Sequence, residues 1–382
     1  MERFFATCLR GLELILAEEL QLLGAEKVHA VGGGVQFGGE FFLCYRANLE
    51  SRVASRILWQ VSTDRYRDED DIYRGAYALQ WTDWFDAART IRVDVSATKS
   101  PLTSLNFVTL KIKDALCDKI LRLTGRRPSV DTRQPDIPIQ AHLTDRDFTL
   151  YLDTTGEPLF KRGKRIAVGE APLRENLAAG ILRLAKWSPG IPLLDPMCGS
   201  GTFLLEAALM ALDIAPGLGR HFAFEKFRNF DWRRWRELSH QSACRQKAKT
   251  PQAIYGSDLS GDVLKAARTN LAAAGLEKIV SLKQANVLEI SAPAKEGIIV
   301  TNPPYGVRLG EQRELAEFYP KLGDLLKQEF TGWRAYILSA DMRLPKLIRL
   351  AASKRTPLFN GALECRLFEY KMVAGGMRKK KV

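Results

Sequence analysis

The second part of the chain alternates short apolar runs with helical segments, and this alternation restricts the fold more than any other feature. The apolar runs are Leu193–Leu194, Ala253–Tyr255, Ile298–Val300 and Ala335–Leu338. Strands that alternate with helical segments form βαβ units in a parallel sheet. We therefore predict an α/β domain with a Rossmann-like, doubly wound sheet over residues 161–382.

A glycine-rich segment follows the first of these strands. It has the sequence Asp-Pro-Met-Cys-Gly-Ser-Gly-Thr and precedes a helical stretch. Glycines at a strand end let the backbone approach a ligand, and the N–H groups that open the next helix suit a carboxylate. A plain glycine-rich turn is the alternative. We expect a nucleoside-cofactor loop, in which Asp195 binds an ammonium group, made of Asp195, Pro196, Cys198, Gly199, Ser200, Gly201 and Thr202.

The next two strands also end in polar residues. Asp258 follows the second strand, where an acid commonly binds the ribose hydroxyls of a nucleotide. Leu259 can pack against an adenine ring, and the amide oxygen of Asn286 can accept a hydrogen bond from the adenine amine. Asp258 could instead, or in addition, cap the helix that begins near Ser260. In that helix Val263, Ala267 and Leu271 are predicted to face the sheet. We predict that Asp258, Leu259 and Asn286 bind the cofactor.

The fourth strand leads into the sequence Asn302-Pro303-Pro304-Tyr305. Two consecutive prolines fix the backbone and remove two N–H donors, which leaves a rigid row of carbonyl acceptors. The Asn302 side-chain oxygen and the Pro303 carbonyl can accept both hydrogens of an exocyclic amine, and Tyr305 can stack on the base. A plain proline turn is the alternative. We interpret this loop as the catalytic site for methyl transfer from S-adenosylmethionine to a nitrogen of a flipped base.

The first 160 residues show a mixed α+β pattern. A strand at Phe4–Thr7, a helix at Leu12–Leu23 and a tight turn at Gly32–Gly34 are predicted within residues 1–55. Residues 56–160 contain further strands and one clear helix, Asn106–Thr124. The apolar stripe of that helix consists of Val108, Ile112, Leu116 and Ile120.

The charge balance favours a polyanionic partner. The chain has 57 lysines and arginines against 44 acids, a net charge of +13. Such a surplus suits phosphate neutralisation, although a solvated basic surface is the alternative. The candidate RNA-binding residues are Arg126, Arg127, Arg133, Lys161, Arg162, Lys164, Arg165 and Arg308.

Several other classes of protein are disfavoured. The six cysteines are scattered without a CxxC pair, and the four histidines have no metal-binding spacing. We therefore expect no metal site. The sequence has no apolar run of about 18 residues and no signal-peptide pattern, so we expect a cytoplasmic protein without a membrane partner.

These motifs resemble the class I S-adenosylmethionine-dependent methyltransferases that modify exocyclic amines, and the branch with an RNA-binding THUMP domain is more similar still. The resemblance implies a ferredoxin-like segment at 1–55, a THUMP domain at 56–160 and a catalytic domain at 161–382. The segment Ala171–Asn176 resembles an additional cofactor-pocket segment of that branch, which adds Asn176 to the cofactor site. Asn286 departs from the acid that is usual at its position.

The resemblance extends to the bacterial 23S rRNA guanine-N2-methyltransferases. It is carried by Phe5–Glu13, Gln134–Pro138, Leu159–Gly163 and Leu358–Glu364. It implies N2-methylguanosine formation in 23S rRNA by a stand-alone form of the enzyme. The Asn-Pro-Pro-Tyr loop is common to adenine-N6 and guanine-N2 enzymes, so a tRNA guanine-N2 enzyme and an adenine-N6 methylase of DNA or RNA remain alternatives. A non-enzymatic RNA-binding assembly factor is a further alternative.

Overall fold

The computed structural model describes residues 1–163, 173–248, 253–304 and 309–373. The chain divides into two compact units. Unit 1 comprises Met1–Cys8, Leu16–Leu159 and Gly217–Gln241. Unit 2 comprises Leu9–Ile15, Phe160–Pro216 and Ser242–Val382. The division of the chain into segments 1–55, 56–160 and 161–382 remains a prediction about the order of domains along the sequence.

The first 160 residues contain seven strands and four α-helices among the described residues. In chain order they are β1 (Glu2–Thr7), α1 (Glu13–Leu22), β2 (Glu26–Val31), β3 (Gly34–Gly39), α2 (Leu43–Glu50), β4 (Arg56–Arg65), α3 (Glu69–Ala78), β5 (Ile91–Ala97), α4 (Leu105–Thr124), β6 (Ile137–Leu143) and β7 (Asp147–Asp153).

Unit 1 is built on one seven-stranded sheet with the order β2-β3-β1-β4-β7-β6-β5. All neighbours in it are antiparallel except β5 and β6. The strands of residues 1–55 and of residues 56–160 therefore hydrogen-bond in a single sheet, through the pairing of β1 with β4.

The sequence accounts for the longest helix of this unit. Ser104 precedes α4 and its hydroxyl accepts a hydrogen bond from the N–H of Phe107. Gly125 ends the helix with a φ of +72°, a conformation that glycine adopts without strain. The predicted stripe Val108, Ile112, Leu116 and Ile120 is fully buried, which confirms the helical period.

The described elements of the rest of the chain are a mixture of helices and strands. They are α5 (Glu175–Leu184), β8 (Leu193–Asp195), α6 (Thr202–Ala211), α7 (Trp232–Cys244), β9 (Ile254–Asp258), α8 (Gly261–Ala273), β10 (Ser281–Gln284), β11 (Gly297–Thr301), α9 (Leu309–Glu329), β12 (Trp333–Ser339), α10 (Leu344–Leu347), β13 (Lys354–Asn360) and β14 (Leu363–Lys371).

Unit 2 is built on a second seven-stranded sheet, with the order β10-β9-β8-β11-β12-β14-β13. The first five strands are parallel, and β14 is antiparallel to both β12 and β13. This is the predicted doubly wound sheet, extended by an antiparallel pair at one edge. Every residue of β11 is buried, as expected for a central parallel strand that is covered on both faces.

One glycine shows how tightly this sheet is packed. A Cβ at Gly297 would lie 2.6 Å from the Trp333 ring and 2.7 Å from the Pro192 carbonyl oxygen. Trp333 belongs to a buried apolar cluster on the α9 side of the sheet, together with Ile299, Tyr319 and Phe368. In the part of the chain that the structure describes, none of the helices is both long enough and apolar enough to span a membrane.

Candidate active site

The strand order of unit 2 places a ligand crevice at one position. From β8 the sheet continues through β9 and β10 in one direction, and through β11 and β12 in the other. Ligands of doubly wound sheets bind outside the carboxyl ends of the strands at such a reversal of order. The residues that follow β8 and β11 are the predicted cofactor loop and the Asn302-Pro-Pro loop.

Asp195 is the last residue of β8, and its side chain is buried. Burial raises the pKa of the carboxyl to about 8, against the opposing effects of the Met197 N–H and of the Thr301 hydroxyl. The Met197 nitrogen lies 3.3 Å from the carboxylate. Thr301 is the last residue of β11, so the ends of the two central strands meet at Asp195. A cationic group bound here would restore the charged form of this carboxyl.

The cofactor loop is pinned to its neighbours by hydrogen bonds. The Cys198 N–H donates to the Ser257 carbonyl at 2.9 Å, and the Ser257 hydroxyl donates to the Pro196 carbonyl at 3.3 Å. The Asn270 side-chain amide donates to the Ser200 carbonyl at 3.0 Å. The backbone of the loop is therefore fixed before any ligand binds.

Two glycines of this loop have left-handed backbones. Gly201, with a φ of +82°, precedes α6, and a Cβ on it would lie 3.3 Å from the Ala267 methyl group. Gly199 has a φ of +56°, and a Cβ on it would meet no atom within 4 Å. Gly199 therefore presents bare backbone to open space, as a cradle for a bound nucleoside requires.

Asp258 at the end of β9 completes this cradle. One carboxylate oxygen accepts from the Gly199 N–H at 3.0 Å and the other from the Ser260 N–H at 3.0 Å. The cap of α8 is Ser260, whose hydroxyl accepts from the Val263 N–H, so the alternative capping role of Asp258 is wrong. Leu259 is 70% exposed beside it. The two residues are placed as a ribose-binding acid and an apolar surface for a flat ring would be.

Asn286 has a local structural role. Its side-chain oxygen accepts from the Leu288 N–H at 3.1 Å, and its amide donates to Glu289 at 3.1 Å. It thereby caps the short 3₁₀ turn Val287–Glu289. An amide oxygen has two lone pairs. The contact from Asn286 to an adenine amine therefore stays a prediction that depends on the second lone pair.

The Asn302-Pro-Pro loop leaves the sheet at the reversal point. Asn302 directly follows the buried Thr301 and is half-buried, Pro303 is buried and Pro304 is exposed. The predicted Tyr305 and Arg308 lie outside the described residues. The described part of the loop is thus a proline-stiffened turn at the end of the central strand, next to the Asp195 end of β8.

Comparison with known proteins identifies the family. The family described as the RMKL-like methyltransferase domain matches residues 162–369, the THUMP domain matches 66–153, and the RlmL ferredoxin-like domain matches 3–58. A putative RNA methyltransferase of Synechocystis is 40% identical over 97% of this chain and 96% of its own length. The chain belongs to the RMKL-like methyltransferase family.

Two further relatives of this RMKL-like methyltransferase are informative. The ribosomal RNA large subunit methyltransferase K/L of Photobacterium profundum is 40% identical over 99% of this chain. The chain spans about half of that relative, 54% of its length. The crystal structure of SMU.472, a putative methyltransferase complexed with S-adenosylhomocysteine, superimposes with a TM-score of 0.89. It is 30% identical and covers 98% of this chain and 99% of its own.

The cofactor of this RMKL-like methyltransferase is S-adenosylmethionine. The family and the complex of the solved relative establish this assignment. The cradle fits the molecule on physical grounds as well. It has a buried acid at Asp195, open space at the Gly199 backbone and an acid at Asp258 hydrogen-bonded to the Gly199 N–H. The predicted contacts of Asp195 with the ammonium group and of Asp258 with the ribose remain predictions. Within the described residues no cluster of side chains suits a metal ion.

Sequence reasoning missed two residues that hold the cofactor loop. Ser257 and Asn270 are both buried and hydrogen-bond to loop carbonyls. Asn270 lies in α8 near the apolar positions Ala267 and Leu271. The position of the polar Asn270 beside the apolar residues of α8 was the one feature of the sequence that could have indicated its role. Val263, which the helical pattern also assigned to the sheet side, is instead 37% exposed, and Leu264 is buried.

Most of the predicted RNA-binding residues that the structure describes are at the surface. Arg126, Arg133 and Lys161 are exposed. Arg127 is also exposed, and its guanidinium lies 3.2 Å from Asp114 and 3.7 Å from Asp118. These contacts leave about 50% of the Arg127 side chain exposed, so it can still contact a phosphate.

The prediction for Arg162 is wrong. Its side chain is buried within unit 2 and forms an ion pair with the buried Glu206. A buried guanidinium that neutralises a buried carboxylate is a structural element, and its removal would leave an unpaired buried charge. Lys164 and Arg165 lie outside the described residues. Asn176 is fully buried in α5, and its predicted cofactor contact stays a prediction.

Proposed function

We propose that this protein is an RNA methyltransferase that forms N2-methylguanosine, with 23S rRNA as its substrate. The observation that carries the proposal is the position of Asn302 and Pro303. They follow the buried central strand β11 at the reversal of the sheet, beside the end of β8 where the cofactor loop begins. The names of the relatives from Synechocystis and Photobacterium profundum support RNA and the large ribosomal subunit as substrates.

The loop chemistry favours an exocyclic amine. When bound, S-adenosylmethionine supplies an activated methyl group. The Asn302 side-chain oxygen and the Pro303 carbonyl are acceptors, so they can align a nitrogen that carries two hydrogens. A ring nitrogen such as guanine N7 carries no hydrogen and offers these acceptors nothing to bind. Alignment of an amine for direct attack supplies much of the rate without a nucleophilic side chain.

The base must leave its stack before it can reach this loop. Enzymes that modify bases either extrude the target nucleotide or act on single strands. The basic surplus of the chain and the matched THUMP domain are consistent with a polyanionic substrate. The exposed arginines of unit 1 would then hold the RNA backbone through phosphate contacts.

The test is a product analysis. The purified protein, isotopically labelled S-adenosylmethionine and unmodified 23S rRNA, tRNA or DNA are incubated separately, and the nucleosides are identified by mass spectrometry after digestion. N2-methylguanosine in 23S rRNA supports the proposal in full. Label in tRNA alone would show that tRNA and not 23S rRNA is the substrate. N6-methyladenine would show that adenine is the modified base. N7-methylguanosine would contradict the amine-binding role of the loop. No label in any substrate would contradict the activity itself.

A further inference from the structure

The segment Gly217–Gln241 follows α6 of unit 2 in the sequence but forms part of unit 1. It is anchored there by buried aromatic rings. The Phe224 ring stacks on Tyr45, with ring centroids 4.4 Å apart, and Trp235 packs edge-on against Phe224 at 5.2 Å. The Phe222 ring also stacks on Phe224, with centroids 5.3 Å apart. The segment is thus a fixed part of the RNA-binding half of the chain.

This segment is basic, and most of its basic side chains have structural partners. It contains six lysines and arginines against three acids. Lys226 lies 2.6 Å from Asp136, and Arg228 lies 3.5 Å from Asp86. Arg220 donates to the Glu157 carbonyl at 2.7 Å. These contacts hold the segment in place and leave little positive charge for a ligand.

Two arginines at the start of α7 differ from the others. Arg233 and Arg236 are exposed, and in the described part of the chain neither lies within ion-pair distance of a carboxylate. The neighbouring acids are engaged elsewhere. Asp231 accepts the N–H groups of Arg233 and Arg234, and Glu237 accepts from the Gln241 amide. Two exposed guanidinium groups without an ion-pair partner among the described residues therefore lie about one turn apart on α7.

An exposed aromatic ring lies beside these charges. Trp232 is 56% exposed, a large exposed fraction for so apolar a side chain. The Arg233 guanidinium lies 5.6 Å from the centre of its ring, within cation–π distance. Residues 232 and 236 are four positions apart, so Trp232 and Arg236 share one face of α7.

We propose that Trp232, Arg233 and Arg236 form a binding site for single-stranded RNA. Trp232 stacks on an unpaired base while the two arginines neutralise the phosphates that flank it. A sequence-tolerant stacking platform beside positive charge is the arrangement that single-stranded nucleic acid requires. A duplex offers phosphates to the arginines but no free base face to the indole. The proposal rests on RNA being the substrate and adds a strand-binding site in unit 1, whereas the catalytic loop belongs to unit 2.

The test compares two variants of the full-length protein with matched controls. Binding of a fluorescein-labelled single-stranded oligoribonucleotide, and of the same strand annealed to its complement, is measured by anisotropy at several salt concentrations. Trp232→Ala should weaken single-strand binding roughly 5- to 150-fold, the loss associated with one stacked base. The control Leu22→Ala removes an exposed apolar side chain of unit 1 and should bind as wild type does.

The arginines are tested through the salt dependence. Arg233→Gln/Arg236→Gln should reduce the slope of log K against log salt by about 1.4, since each phosphate contact on a single strand contributes about 0.7. Lys321→Gln/Lys327→Gln removes two exposed charges from α9 and should leave the slope unchanged. Trp232→Phe keeps a ring and should restore most of the single-strand affinity. S-adenosylmethionine affinity and the thermal midpoint should be unchanged in all variants.

The outcomes separate this site from the proposed function. If wild type methylates RNA while Trp232→Ala binds the single strand as tightly as Leu22→Ala does, the stacking site is wrong and the proposed function stands. An equal loss for single strand and duplex also overturns the stacking role. Should wild type neither bind nor methylate RNA, the proposed function fails and this site fails with it. If Trp232→Ala lowers the thermal midpoint, the other two variants decide. Weak single-strand binding by Trp232→Phe, or an unchanged salt slope in Arg233→Gln/Arg236→Gln, would then contradict the site.

Discussion

We predict that Asp195, as the proposed partner of the cofactor's ammonium group, makes cofactor binding depend on pH. Burial raises its pKa to about 8, so below that pH the carboxyl of the cofactor-free protein is largely protonated. The ammonium group of S-adenosylmethionine favours the ionised form, and binding must then release a proton. We expect the affinity to rise up to tenfold per pH unit between pH 6 and about 8. Above that pH it should decline, because an α-amino group loses its proton near 7.7–8.0. Calorimetry in buffers of different ionisation enthalpy would measure the released proton.

Asp195→Asn provides the control for this prediction. The amide cannot titrate, so the affinity of the variant should be lower than that of wild type and nearly flat from pH 6 to 8. A variant with the same pH profile as wild type would show that another group carries the effect.

The same carboxyl should lower the stability of the folded protein at alkaline pH. Its folded pKa lies above the value of about 3.9 in an unfolded chain, so between these values the folded state binds more protons and stability falls as pH rises. At pH 8 the cost is on the order of a few kcal/mol, since one pKa unit corresponds to about 1.36 kcal/mol. Asp195→Asn should therefore raise the thermal midpoint at pH 8 more than at pH 5. Equal shifts at both pH values would contradict this account.

Asn302 provides the residue-scale test of the catalytic loop. In Asn302→Ala the side-chain acceptor is lost while the two prolines and strand β11 remain, so we expect turnover to fall at least about 100-fold. The Kd for S-adenosylmethionine should change less than threefold or so, because the amine and not the cofactor is the partner of this group. Single-turnover methylation and equilibrium dialysis separate the two effects. Asn106→Ala, an exposed asparagine in α4, is the matched control. Normal turnover in Asn302→Ala would remove the residue from the mechanism.

At the scale of elements, the cofactor loop can be probed by two glycines with similar backbones. Gly199 has a φ of +56° and Gly275, after α8, has a φ of +68°, and a Cβ at either would meet no atom within 4 Å. Alanine at each should cost about 1–2 kcal/mol through left-handed strain alone. Gly199→Ala should in addition weaken S-adenosylmethionine binding at least tenfold, because its methyl group occupies the cradle. Gly275→Ala should lose stability without loss of affinity. Equal affinities in the two variants would place the cofactor elsewhere.

The periodic elements were predictable because their patterns follow from burial on one face. The stripe of α4, the turn at Gly32–Gly34 and the alternation of strands and helices in unit 2 all match the structure. Strand β2 was missed because only one of its six residues is even half-buried, so it carries no apolar alternation. Val263 was misassigned because the face of α8 that packs on the sheet is centred one position later, on Leu264, Ala267 and Leu271.

The tertiary partners of polar residues could not be predicted in the same way. Arg162 stands in a basic run that suggests a solvated surface, yet its partner Glu206 lies 44 residues away in a buried helix. Ser257 and Asn270 support the cofactor loop through carbonyl groups, and no local pattern reveals which backbone atom a side chain will reach. The motif residues Asp195, Gly199 and Asp258 were predictable because their spacing follows the order of strands.

At the scale of the whole molecule, the two units are interleaved along the sequence. Residues 9–15 belong to unit 2, where Leu12 is fully buried against Gly180, so closely that a Cβ on the glycine would lie 2.6 Å from the leucine side chain. The Arg10 guanidinium lies 5.9 Å from the Phe359 ring in the same unit. Residues 217–241 belong to unit 1. Local sequence patterns do not reveal contacts between residues so far apart in the chain. A cut at residue 160 therefore does not separate one unit from the other.

Truncation at residue 160 should therefore damage both units. A fragment of residues 161–382 loses Leu12, whose removal leaves a cavity that typically costs 2–5 kcal/mol for a buried leucine. It also leaves Phe224 and Trp235 without Tyr45, and Phe227 without Trp59, because both partner rings lie in the removed part of unit 1. We expect this fragment to bind a hydrophobic dye and to melt without a cooperative transition, as measured by fluorescence and calorimetry.

A second fragment makes the same prediction sharper. It joins residues 9–15 to residues 161–382 through a flexible linker and replaces residues 217–241 with a short Gly-Ser loop. All of unit 2 except Phe160 is then kept, and the anchored segment of unit 1 is removed. Because this fragment restores Leu12 and lacks the orphaned aromatic rings, it should melt cooperatively and bind S-adenosylmethionine as the full chain does. It should bind RNA much more weakly than the full chain, since the exposed arginines of unit 1 and the α7 site are absent. If the simple fragment of residues 161–382 instead melted as cooperatively as the redesigned one, the interleaving of the units would contribute little to stability.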